Sequence, residues 1–182
     1  MADRQGRSAL FIVDMLNDFV ADGGVLTAGG PAQAIVPFIA AKAREVAATG
    51  GKVYFLTDNH APDDLEFGVF PPHCVAGTWG AAIVPELEAV RAELGDAADR
   101  ILKTRYSGFY RTDLERRLKR EGITEVAVVG VATNICVLYN TEELWNRGYR
   151  PTVYRDGVAT FDPPAHDFAL NQMASVLGAT IK

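Results

Sequence analysis

The sequence holds only two cysteines, Cys74 and Cys136, in 182 residues. That is too few for the disulfide framework of a small secreted domain, so a reducing cytoplasm is the expected compartment. Positive charge is scarce as well. Eighteen Lys and Arg against 23 Asp and Glu leave a formal net charge of −5, which provides no basic footprint for nucleic acid. No apolar run approaches the length of a membrane span. The N-terminal stretch 1–7 is polar and lacks the apolar core of a signal peptide. Repeats, linkers and low-complexity tracts are missing too, which predicts a single domain over residues 1–182 with a sizeable core. The first apolar run is not followed by a nucleotide-binding glycine fingerprint, and this argues against a Rossmann dehydrogenase.

What the chain does contain is organised around residues 125–137. A continuous apolar run, Val126 to Val129, ends at Gly130 and is followed by Val131-Ala132-Thr133-Asn134-Ile135-Cys136. After Cys136 the apolar positions Val137, Leu138, Thr141, Leu144 and Trp145 fall at helical intervals. The pattern predicts a buried strand, a tight turn, and a helix with Cys136 in its first turn and Gly148 as its stop. Two readings of Cys136 are open at this point. Free N–H groups at a helix start can hold a thiolate or an oxyanion, and a small buried cysteine can equally just fill space.

Similar apolar runs occur elsewhere. Ser8–Val13 ends at Asp14, Lys52–Thr57 ends at Asp58-Asn59-His60, and Arg100–Leu102 runs into Lys103. A further strand is expected at Pro151–Tyr154 and a last one near Ala179–Ile181. Helices are expected at Pro31 to about Thr49, Pro85–Leu94, Thr112–Glu121 and Pro164–Leu177, several stopped by glycine. Pro37 is compatible only with a first helical turn, so the first of these helices is free to begin after Pro31. Alternating strands and helices predict a doubly wound α/β domain with a mostly parallel sheet between two helical layers. In such a sheet the strand ends Asp14, Lys103 and Cys136 converge on one edge, where open α/β sheets place their sites.

Those three residues could do nucleophilic chemistry without a histidine. A carboxylate takes the thiol proton, an ammonium group stabilises negative charge, and backbone N–H groups bind an oxyanion. Each also has a plainer role: Asp14 as a turn cap, Lys103 as a surface lysine after an edge strand. A second cluster pairs Asp58-x-His60, at the end of the second run, with His73 in the long irregular segment 61–85. Carboxylate and imidazole suit Zn²⁺, Fe²⁺ or Mn²⁺, and solvent-facing loop histidines are the plainer alternative. Cys74 is assigned to loop packing, and His166 to a structural or exposed position.

The stretches Phe11-Ile12-Val13-Asp14-Met15-Leu16-Asn17-Asp18-Phe19, Thr57-Asp58-Asn59-His60, Pro71-Pro72-His73-Cys74-Val75-Ala76-Gly77-Thr78-Trp79-Gly80, Lys103–Tyr110 and Gly130–Val137 together resemble the isochorismatase-like cysteine hydrolases, in the nicotinamidase branch. The resemblance runs from about Ala9 to Ile181. It implies a six-stranded sheet and an Asp14–Lys103–Cys136 triad acting through a thioester. It also implies an oxyanion hole from the Ala132 and Cys136 N–H groups, with a cis peptide just before Ala132. It implies a divalent ion, zinc foremost, on Asp58, His60, Glu66 and His73, and a pyridine pocket lined by Phe19, Phe70 and Tyr110. The implied activity is hydrolysis of nicotinamide to nicotinate and ammonia in pyridine-nucleotide salvage, by a homo-oligomeric enzyme with a small-molecule amide substrate. Three positions vary within the family. Glu66 stands where some members have histidine, Phe70 where tryptophan is frequent, and Asn59 where an aromatic residue is common. Two other classes share parts of the pattern: an isochorismatase-like amidase acting on an N-carbamoyl or ureido substrate, and a non-catalytic binding protein on the same fold.

Overall fold

A computed structural model describes residues 6–182; the first five residues of the polar N-terminal stretch lie outside it. Six strands form one all-parallel sheet in the order β3-β2-β1-β4-β5-β6. They are β1 (Arg7–Val13), β2 (Lys52–Asp58), β3 (Ala98–Lys103), β4 (Ile123–Val131), β5 (Thr152–Ala159) and β6 (Thr180–Ile181). The chain winds outward through β1, β2 and β3, then returns to β4 beside β1 and winds the other way. The winding direction therefore reverses between β1 and β4, where a crevice opens at the carboxyl ends of the strands.

Successive side chains of a strand point to opposite faces, and the apolar runs fill both. Phe11 and Val13 of β1, with Tyr54 and Leu56 of β2, face one core; Leu10, Ile12, Val53 and Phe55 face the other. The first core is covered by α5 (Leu114–Arg120), α6 (Leu138–Asn146) and α7 (Pro163–Ser175). The second is covered by α2 (Gly30–Ala34), α3 (Val36–Ala48) and α4 (Pro85–Leu94), with the short α1 (Asn17–Val20) beside them. Burial on both faces explains why these strands read as continuous apolar runs.

Most element ends fall within two residues of the sequence expectation, and three differences are larger or change the kind of element. The helix expected from Pro31 is two helices, interrupted at Ile35. Pro37 occupies the first turn of the second one, where its missing N–H costs nothing. The fifth strand continues past Tyr154 to Ala159, because polar Arg155 and Asp156 conceal a segment that re-pairs with β4 after a register shift. Cys136 lies in a π-helical turn, Thr133–Val137, that precedes α6 rather than opening it.

Candidate active site

The crevice is assembled from strand ends. Asp14 follows β1 with φ 49°, a left-handed conformation that turns its carboxylate across the sheet edge. Its N–H bonds the Leu56 carbonyl at 2.9 Å, and its Oδ1 accepts the Asp58 N–H at 2.9 Å. Next to it, Gly130 of β4 has φ 114°, and a Cβ there would stand 2.1 Å from the Val13 carbonyl oxygen. Only glycine lets the two strands approach this closely just before Asp14 and the Cys136 turn. The Val131–Ala132 peptide is cis. The Ile135 and Val137 N–H groups both donate to the Ala132 carbonyl, at 3.0 and 3.2 Å, and bracket the Cys136 N–H between them.

Lys103, only 1% exposed, ends the outermost strand β3 and reaches from there into this cluster. Its ammonium stands 2.7 Å from Asp14 Oδ2, 2.6 Å from Asp58 Oδ1 and 3.7 Å from Cys136 Sγ. The donor atoms of Asp14, Asp58 and Cys136 all lie within 4.8 Å of one another, and the lysine supplies the positive charge among them. Burial opposes the Lys103 charge, but the two carboxylates outweigh it and hold its pKa well above the ordinary value. Burial, then repulsion from Asp58, pushes Asp14 up to about 7. Burial likewise raises the Cys136 thiol well above its usual range, although Lys103 pulls the other way. The resting sulfur is therefore a thiol, held close to a carboxylate that titrates near neutrality and can take its proton.

Asp58, at the end of β2, faces two ways. Beyond Lys103, its Oδ2 is 3.6 Å from His60 Nε2. Burial raises its pKa, but Lys103 and His60 together bring it below the ordinary value. His60 is pinned by a short bridge to Val75, with His60 N–H to Cys74 O at 3.0 Å and Ala76 N–H to His60 O at 2.9 Å. His73 Nδ1 meets the Pro71 carbonyl at 2.8 Å, which leaves Nε2 facing Glu66 Oε1 at 3.7 Å. One donor atom from each of Asp58, His60, Glu66 and His73 lies within 4.8 Å of the others. All four side chains are buried, and His60 Nε2 and Glu66 Oε2 have no hydrogen-bond partner among the described residues. Buried polar atoms without partners are costly. Two carboxylates and two imidazoles converging in this way fit a divalent transition metal.

Asp14, Asp58, Glu66, His73, Ala132 and Cys136 line a cleft that opens to solvent. Phe19, Leu26, Ala28, Phe70, Tyr106, Val131, Ile135 and Phe161 supply its apolar wall. Of the three expected pocket aromatics, Phe19 and Phe70 are there. Tyr110 is not: it is 41% exposed, with the Arg105 and Arg111 guanidinium groups against its ring. Tyr106, four residues earlier, lies in the wall instead. Its placement depends on Asn140 of α6, which is fully buried. The Asn140 amide donates to the Tyr106 carbonyl at 2.9 Å and the Cys136 carbonyl at 2.8 Å, and accepts the Gly108 N–H at 2.8 Å. Another buried anchor, Asp18, accepts the Cys74 N–H at 2.7 Å and so braces the residue after His73. Asp18 lies within the Asp14–Phe19 motif, so a signal for it existed; Phe161 and Asn140 carried none.

Comparison with known proteins agrees with this architecture. Residues 8–182 match the isochorismatase domain. The isochorismatase family protein PncA of Bacillus subtilis is 36% identical over 96% of this chain and 98% of its own. The ureidoacrylate amidohydrolase RutB of Methylorubrum extorquens is 31% identical over 94% of this chain and 77% of its own. Among solved structures, nicotinamidase PncA from B. subtilis superposes with a TM-score of 0.92 at 34% identity, covering 96% and 98% of the two chains. The pyrazinamidase of Pyrococcus horikoshii in complex with zinc gives 0.86 at 30% identity, covering 97% and 98%. The N-carbamoylsarcosine amidase of Thermoplasma acidophilum gives 0.84 at 31%, covering 97% and 95%. The chain belongs to the isochorismatase family. Within it, the similarity extends to proteins of the nicotinamidase branch and to relatives that act on carbamoyl and ureido compounds.

Proposed function

We propose that the protein is a metal-containing cysteine amidohydrolase that converts nicotinamide to nicotinate and ammonia. One observation carries the reading: a thiol–carboxylate–ammonium cluster and a quartet of metal-type donors open onto the same apolar cleft, with Asp58 belonging to both. Asp14 takes the Cys136 proton as Sγ bonds to the amide carbon, and the carbonyl electron pair moves onto oxygen. The Ala132 and Cys136 N–H groups receive that oxyanion. The carbonyl re-forms, the C–N bond breaks, and Asp14 passes its proton to the departing nitrogen, releasing ammonia. Water then gives a proton to Asp14 and attacks the thioester carbon. The C–S bond breaks, and the proton returns to sulfur as the acid leaves. Lys103 stays protonated throughout and offsets the charge that Asp14 carries between steps. A divalent ion on Asp58, His60, Glu66 and His73, with zinc the leading fit and Fe²⁺ or Mn²⁺ the others, would bind the ring nitrogen and orient the ring. Phe19, Phe70 and Tyr106 supply the ring's apolar surroundings.

The cleft lining also bears on the competing substrate class. N-carbamoyl and ureido acids carry a carboxylate; among the described residues no arginine or lysine lines the cleft, and the Lys103 ammonium behind it is already paired with Asp14 and Asp58. A neutral ring amide suits this wall better. No helix among the described residues is long and apolar enough to cross a membrane, and we place the enzyme in the cytoplasm as a homo-oligomer serving pyridine-nucleotide salvage. The test is ammonia release by the purified protein from nicotinamide, pyrazinamide and an N-carbamoyl amino acid. Release from both ring amides alone is the expected result. Release only from the carbamoyl compound would reassign the substrate while keeping the triad. Binding without any turnover would favour a non-catalytic protein on this fold.

A further inference from the structure

Asp64 stands behind the metal-type quartet, and its buried carboxylate serves three groups. Its Oδ1 accepts the Glu66 N–H at 2.9 Å and Arg105 Nη1 at 2.8 Å. Its Oδ2 stands 3.2 Å from His60 Nδ1, out of line for a well-formed hydrogen bond yet the polar atom facing that nitrogen. Its side chain is 8% exposed and that of Arg105 is 34% exposed, so the pair closes the outer wall of the cluster.

A histidine that binds an ion through one ring nitrogen carries its proton on the other, and whatever accepts that proton selects the tautomer. The Pro71 carbonyl does this for His73. It can only accept, so Nδ1 bears the proton and Nε2 presents a lone pair toward Glu66. An ionised carboxylate can only accept too. Asp64 Oδ2 faces His60 Nδ1 at 3.2 Å on the side where the Pro71 carbonyl is hydrogen-bonded to His73 Nδ1, and both rings turn Nε2 toward the quartet. The same side chain caps the 3₁₀ turn Leu65–Gly68, which carries Glu66. From these contacts we infer that Asp64 is the positioning residue of the cation site: it fixes the His60 tautomer and seats Glu66, while Arg105 anchors it to the segment that follows Lys103. This inference rests on the proposed metal site and extends it to a residue that contacts neither ion nor substrate.

The asparagine variant separates positioning from folding. In Asp64→Asn the side-chain oxygen still caps Glu66, but an NH₂ group faces His60 Nδ1. It would donate there and drive the proton to Nε2, the nitrogen meant for the ion. Zinc affinity of the full-length protein, measured by competition with a chromogenic chelator, is expected to fall about 10- to 100-fold in Asp64→Asn, with a melting temperature close to the parent's. Asp64→Ala is expected to lose the same affinity and some thermal stability, because the cap goes too. Nitrogen-15 imidazole spectra of chelator-treated protein should show more of the proton on His60 Nδ1 in the parent than in Asp64→Asn, where the balance moves toward Nε2 and its neighbour Asp58. An Asp64→Asn protein that binds zinc as tightly as the parent with an unchanged His60 spectrum would overturn the role of Asp64 and leave the cation site standing. A parent that holds no zinc, or a His73→Ala variant that binds it as tightly as the parent, would overturn the cation site itself and this inference with it.

Discussion

Asp14, Lys103 and Cys136 hang from the ends of three parallel strands or the turn directly after one. Their positions are set by the sheet: β1 and β4 are paired on both sides, and the edge strand β3, which carries Lys103, is paired with β2 along its whole length. His60, Glu66 and His73 belong instead to the irregular stretch between β2 and α4, held by a two-residue bridge, a capped 3₁₀ turn and a carbonyl contact. Asp58 joins the two halves, bonded to Lys103 on one side and facing His60 on the other. The difference suggests a division of labour. Bond making needs reacting groups fixed to fractions of an ångström, which sheet ends provide. Orienting a ring tolerates a looser support.

The largest effect should come from the rigid half. Cys136→Ala removes the nucleophile and is expected to lower kcat by about ten-thousand-fold or more for every amide tested. Its melting temperature should stay near the parent's, since a small side chain replaces a small buried one. Ammonia release and a thermal melt check both points; residual turnover within a hundredfold of the parent would sink the cysteine mechanism. His73→Ala probes the looser half and should act on placement. Expected is a loss of bound zinc and a fall in kcat/KM of about a hundredfold or more for nicotinamide, with KM taking a larger share than in any triad variant. If kcat alone collapses, the division of labour fails.

Asn140 tests the join between the nucleophile and the wall of the cleft. Asn140→Asp keeps the size and the acceptor for the Gly108 N–H, but it turns a donor toward the Tyr106 and Cys136 carbonyls into an acceptor. Leaving those buried groups unpaired is expected to cost about 1–3 kcal/mol of stability, read by urea denaturation. Both kcat and KM should worsen, because one amide holds the turn of Cys136 and the segment of Tyr106 together.

The same contrast explains what could be read from the sequence. Apolar runs that stop at Asp14, Asp58 and Lys103 announce buried parallel strands, and parallel topology alone brings their ends together. The π-helical turn at Thr133–Val137 could not be read, since its spacing differs from a helix start by a single hydrogen-bond register. In the irregular segments even the family pattern is imprecise. Tyr106 and Tyr110 are four residues apart, and tertiary bonds from Asn140 to Tyr106 and Gly108 decide which one meets the cleft. Asp64 carries a faint local signal, an aspartate two residues before the N–H it caps. Its contacts with His60 and Arg105 exist only in three dimensions.

The smallest effect is a pH dependence, and it sets activity against stability. Asp14 has an ordinary value of 3.8, and burial, then Asp58, raise it to about 7. A general base works only when ionised, so kcat/KM should fall about tenfold per pH unit below about 7. Stability runs the other way. Between about pH 4 and 7 the folded state keeps a proton on Asp14 that the unfolded chain has released. The stabilisation from this group is therefore complete below its unfolded value and is lost as the pH rises through its folded one. Asp58 is shifted oppositely: burial raises it, but Lys103 and His60 lower it further, so its contribution is present above the unfolded value and lost as the pH falls. Asp14→Asn isolates the first effect, because it is neutral at every pH. With chelator-treated protein, the parent should lose thermal stability relative to Asp14→Asn as the pH rises from 5 to about 7.5. Parallel curves would mean that Asp14 is already ionised at pH 5. Lys103 would then outweigh burial, and the Cys136 thiol would need a stronger base than the geometry offers.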